Sequence, residues 1–117
     1  MARSSDTILL LLETAERLFA ERGIEHVSLR QIVQASGQKN VSALHYHFGS
    51  REALVGALLN MRLAQINVRR NRYIDALLEE TATPGVREVI EASSYALADT
   101  MQDTAWGMPY VQVLAQA

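Results

Sequence analysis

The sequence predicts an all-α fold with a helix-turn-helix in its N-terminal half. Three observations lead there. Apolar residues recur at helical spacing along most of the chain, and no stretch alternates as a strand does. Gly and Pro fall at intervals that leave segments of helical length between them. Two of those segments, 29–36 and 41–48, are about two turns long, are joined by a Gly-bearing turn, and lead directly into a further helix.

The elements follow in order. A first helix is expected over 7–22, capped by Asp6, with Ile8, Leu12, Ala15 and Phe19 on one face. Ser28 and Gln31 then form a capping box, which satisfies orphan N–H groups at the start of the second helix, 29–36. In that helix Ile32 and Val33 face inward and Arg30, Gln31 and Gln34 outward, and Gly37 stops it as a left-handed C-terminal residue. Asn40 is the expected cap of the third helix, 41–48, where Leu44 and Phe48 share the buried side. Gly49 ends it and Ser50 caps the fourth. That helix can run to Glu80, about 45 Å at 1.5 Å per residue, on a stripe of Leu54, Leu58, Ile66, Tyr73 and Leu77. The run Arg69-Arg70-Asn71-Arg72 interrupts the stripe, so a kink or a change of packing partner is expected there. Thr83 and Pro84 are the expected cap and first residue of a fifth helix, 84–102. Gly107-Met108-Pro109 is expected to break the chain before a sixth helix from Tyr110.

The third helix points to DNA. The major groove is about 12 Å wide and admits one α-helix. Small residues (Val41, Ser42, Ala43) fill its first turn, where base edges are usually met, and polar rings (His45, Tyr46, His47) follow. The net charge of −2 hides an asymmetry. Residues 1–73 hold ten basic and six acidic residues, whereas residues 74–117 hold one basic and seven acidic. A basic end concentrates the phosphate attraction that dominates DNA affinity.

Other classes find little support. The longest apolar run, Ile8–Leu12, is too short for a membrane span. No Cys means no disulfide framework, which fits a reducing cytoplasm. His45 and His47, two apart on a helix, diverge by about 200° and cannot share a metal. No HExxH, Gly-rich phosphate loop or aligned nucleophile is present, so neither an enzyme nor a cofactor is expected. At 49% apolar residues the chain can pack a core.

The string Leu11-Leu12…Ala15…Leu18-Phe19-Ala20-Glu21-Arg22-Gly23, then Ser28…Ile32…Ala35…Gly37, then Leu44 to Leu54, resembles the TetR (tetracycline-repressor-like) family of transcriptional regulators over about residues 8–58. The resemblance implies an N-terminal three-helix DNA-binding head (1–50) and a helical ligand-binding and dimerisation body, of which 51–117 is the N-terminal part. It also implies a cytoplasmic homodimeric repressor on near-palindromic double-stranded DNA, released by a small ligand. Arg30 matches a position that reaches base or phosphate, His45 stands where the family places a phosphate-binding Tyr, and Arg51 matches a phosphate-gripping base. With these, the DNA-contacting set is Arg30, Lys39, Val41, Ser42, Ala43, His45, Tyr46, His47 and Arg51. The turn departs from the family pattern, because Gln38-Lys39-Asn40 is one residue longer than usual. The extra residue tilts the recognition helix or adds a Lys39 phosphate contact.

In the family the ligand cavity lies where Tyr95, Met101, Trp106, Met108 and Tyr110 stand, a set suited to an apolar or amphipathic molecule. Plain core packing explains the same residues. The tail 111–117 ends on an open apolar face, so a longer protein is expected, with the dimer surface beyond Ala117. Two alternatives stay open: a DNA-binding regulator without a ligand, and a helical protein-interaction module.

Overall fold

The computed structural model describes residues 4–38 and 41–117. It is helical throughout, with no strand among the described residues: α1 (Ser4–Arg22), a 3₁₀ turn (Ile24–His26), α2 (Leu29–Ser36), α3 (Val41–Phe48), α4 (Arg51–Glu80), α5 (Val86–Asp103) and α6 (Gly107–Gln116). Two compact units result: Met1–Asn60 with Met108–Ala117, and Met61–Gly107.

The first unit closes around an apolar core. Leu11, Leu12, Ala15, Leu18 and Phe19 of α1 are buried, with Val27, Ile32, Val33, Leu54, Leu58, Tyr110 and Val113. The i, i+4, i+7 spacing of the α1 set is what a one-faced helix requires. Thr14 is buried with them because its hydroxyl donates to the Leu10 carbonyl at 2.7 Å. Burial of the Tyr110 phenol, with the Glu16 carboxylate nearby, raises its pKa above the ordinary 10.0.

The helix ends show why the chain turns where it does. Ser28 Oγ accepts from the Gln31 N–H at 3.1 Å, and Gln31 Oε1 accepts from the Ser28 N–H at 2.8 Å, the expected capping box. Gly37 closes α2 at φ 79°, a left-handed conformation that costs a side-chain-bearing residue about 1–2 kcal/mol. Ser50 Oγ accepts from the Ala53 N–H at 3.1 Å and caps α4.

In the second unit α4 and α5 pair antiparallel through a ladder of polar contacts. Arg69 bridges to Asp103 at 2.9 Å, and one turn further Tyr73 donates to Asp99. The Tyr73 ring also meets the Tyr95 ring, with centroids 5.8 Å apart. Ile66, Ala92, Ala96 and Thr100 are buried, and the Thr100 hydroxyl is satisfied by the Ala96 carbonyl at 2.8 Å. Arg62 is buried too, with its guanidinium 4.3 Å from the Trp106 ring centroid and bonded to Gln65 at 3.0 Å.

Several boundaries differ from expectation. α1 begins by Ser4, so Asp6 sits inside its first turn, where it favours the helix dipole, and does not cap it. α4 is helical throughout, and the interruption at Arg69–Arg72 is a change of partner from apolar contact to the Asp103 carboxylate. α5 starts at Val86 behind Gly85, because the Thr83 N–H is taken by Thr81 Oγ1 in a local turn. Gly107 and Pro109 lie in the first turn of α6, where a missing N–H costs nothing. Gly107 is required there: a Cβ would stand 2.4 Å from the Thr100 carbonyl oxygen.

Candidate nucleic-acid interface

α3 is held by what surrounds it in sequence. α2 before it is capped and stopped, and α4 after it is capped by Ser50, so eight residues are presented as one short helix. Ser42 and Tyr46 stand one turn apart and are exposed, as is His47. Tyr46 is 87% exposed, far beyond what an aromatic ring with a packing role shows. Its ring meets the His47 imidazole edge-on, with centroids 5.4 Å apart, and His47 in turn lies 6.3 Å from the half-buried Phe48. The two rings therefore support one another on the solvent side. Arg30 is exposed on α2. Gln31, beside it, is committed to the capping box.

Arg51 takes a position the sequence does not disclose. Its Nη1 faces the carbonyl oxygens of Glu25 and Val27, each at 3.4 Å, and so braces the segment between the 3₁₀ turn and α2. A guanidinium carries five N–H donors, so bracing and an outward contact are compatible. Lys39 and Asn40 lie outside the described residues, as do the side chains of Val41, Ala43, Leu44 and His45.

The residues expected to line a ligand cavity are divided between the two units. Met108 and Tyr110 belong to the first unit, and Tyr95, Met101 and Trp106 to the second. Tyr95 lines a cleft of about 610 Å³ with Tyr73, Leu77, Glu80, Glu88 and Glu91. Trp106 lines a different one, with Gln65, Arg69, Arg72 and Asp103. The contribution of Tyr73, Leu77 and the three glutamates has no local signature in the sequence, because it depends on how α4 pairs with α5. Hydrogen bonding to Asp99, together with burial, raises the Tyr73 phenol pKa above 10.0. Among the described residues no His, Asp and Glu group could hold a metal ion.

Residues 11–58, the three-helix head with the first turns of α4, match the family model described as "Bacterial regulatory proteins, tetR family". Over these residues the chain is of the TetR family. TetR-family relatives of known name agree. The HTH-type transcriptional repressor KstR2 of Rhodococcus jostii is 33% identical over 89 residues, covering 76% of this chain and 42% of the relative. KstR2 of Mycobacterium tuberculosis is 36% identical over 74 residues, covering 63% and 34%. The HTH-type transcriptional repressor AcnR of Corynebacterium efficiens is 44% identical over 69 residues, covering 57% and 36%. The chain thus spans less than half the length of these relatives. No helix among the described residues is long and apolar enough to cross a membrane.

Proposed function

We propose that this TetR-family chain acts as a transcriptional repressor and binds double-stranded DNA through α3. The observation that carries the reading is the exposed Ser42–Tyr46–His47 surface on a short helix that lies between Gly37, which stops α2, and Ser50, which caps α4. Such a helix enters the major groove with its N-terminal residues toward base edges. The relatives that share the head are named repressors, which supports the same direction of control. Arg30, Lys39, His45 and Arg51 supply phosphate or base contacts around α3, and Val41 and Ala43 allow the helix to approach the bases closely.

One head reads few base pairs, so the working protein is a homodimer on a near-palindromic site. Two-fold dimers place their recognition helices one DNA turn apart, about 34–36 Å, or a multiple of that. A small amphipathic ligand in the body releases DNA by changing the separation of the two heads. The mixed tyrosine, leucine and glutamate lining of the cleft at Tyr95 supports an amphipathic molecule over a purely apolar one.

Fluorescence anisotropy of the full-length protein on duplex DNA across a salt series tests the reading. Binding should fall steeply with salt, since each neutralised phosphate contributes about −0.9 to the log–log slope. Absence of binding at low salt would refute it.

A further inference from the structure

The junction between α1 and α2 is held by a residue about ninety positions away. The 3₁₀ turn Ile24–His26 starts behind Gly23, which offers no side chain to the free N–H groups that open any helix. The Ile24 N–H donates instead to Oε1 of Gln116, on α6, at 2.8 Å. The Nε2 of the same amide donates to the Phe19 carbonyl in the last turn of α1, at 3.3 Å, and to the Gln112 carbonyl on its own helix, at 3.1 Å. One amide therefore serves the end of α1 and the start of the turn together.

The position selects for glutamine. The two contacts need an acceptor and a donor on one planar group at the end of a two-carbon stem. Glutamate keeps the acceptor and loses the donor, lysine keeps only donors, and asparagine is one carbon short. A cap cannot be supplied locally. Gly23 stands at φ +93°, and a Cβ on it would meet His26 Nδ1 at 3.1 Å. On its other side the turn is braced by Arg51 through the Glu25 and Val27 carbonyls. A cleft of about 600 Å³, lined in part by Ile24, His26, Arg51, Val55 and Gln116, separates the two clamps. Val27, directly after the turn, is fully buried, and α2 begins two residues later.

We propose that Gln116 is a positioning residue, a cap supplied by α6 to the 3₁₀ turn, through which the placement of α6 sets the α1–α2 junction and with it the helix-turn-helix. N–H···O bonds span about 2.7–3.2 Å, so a shift of α6 by about one residue's rise, about 1.5 Å, takes the 2.8 Å Ile24–Gln116 contact out of range and uncaps the turn. The inference concerns the first compact unit alone and holds whether or not α3 binds DNA.

Amide hydrogen exchange and amide chemical shifts of the full-length protein test it. Gln116→Met keeps length and packing and removes both polar contacts. It should speed exchange of the Ile24 amide about fivefold, the loss of one ordinary hydrogen bond, and should move the shifts of Leu29–Ser36. Gln116→Glu keeps the acceptor and should keep Ile24 protected, returning the α2 shifts toward wild type. Unchanged Ile24 exchange in Gln116→Met would overturn the cap. Faster exchange with unmoved α2 shifts would overturn the positioning role. Salt-dependent DNA binding, measured on the same variants, reports separately on the function proposed above.

Discussion

Tyr46 and Arg51 would do different work at the proposed interface, and their variants should separate it. Tyr46 is exposed and braced by His47, so Tyr46→Ala should leave helical content intact and cost about 1–3 kcal/mol of discrimination at a contacted base. Circular dichroism with anisotropy on matched and mismatched sites reads both. Arg51→Ala should lower the salt slope by about one unit and weaken all DNA sequences alike. It also removes the brace on the Glu25 and Val27 carbonyls. Arg51→Lys preserves the charge without the guanidinium geometry. If phosphate contact dominates, the Lys variant keeps the wild-type slope. In the other unit Tyr73 gives a pH signature. Its phenol pKa is raised by the bond to Asp99, so the protonated form is the one that folding favours. That contribution is fully present below about pH 10, the unfolded value, and is lost as pH rises through the higher folded value. Thermal melts of wild type and Tyr73→Phe should therefore differ below pH 10 and draw together as pH rises from there through the higher folded value.

At the scale of elements, locally encoded features were legible and tertiary ones were not. α2 and α3 match their expected ranges because cap, stop and apolar spacing lie within a few residues of one another. Ser28→Ala should cost about 1 kcal/mol in urea unfolding through loss of the capping box. α5 starts two residues after its expected position: Thr83-Pro84 satisfies the local rule for a helix start, but the Thr81 hydroxyl takes the Thr83 N–H into a turn. α6 begins earlier than its local pattern predicts. Gly107 looks like a breaker in sequence, yet its role is to let the chain pass the Thr100 carbonyl, which no local pattern announces. Gly107→Ala should destabilise the fold more than Gly37→Ala, whose cost is confined to about 1–2 kcal/mol of left-handed strain, since nothing stands within 4 Å of a Cβ at Gly37. Differential melting of the two variants checks the order. Among the interface residues, exposure of Arg30, Tyr46 and His47 followed from helix periodicity. The bracing role of Arg51 and the cap from Gln116 did not, because both join elements distant in sequence.

At the scale of the whole molecule, the proposed mechanism puts two heads on one DNA site. The protein should be a dimer by light scattering, and its DNA affinity should fall at dilutions that separate the protomers. A monomer that binds with the same affinity would remove dimerisation from the mechanism. Whether α3 reads base sequence, as proposed, is decided by selection of bound duplexes from a random-sequence library. Wild-type full-length protein should enrich a near-palindrome whose half-site centres lie one or more DNA turns apart, about 34–36 Å per turn. Tyr46→Ala with His47→Ala should change the preferred bases inside the half-sites while leaving their spacing unaltered. Enrichment of the same bases by the wild type and the double variant, or no enrichment by the wild type, would contradict the assignment of α3 as the recognition helix.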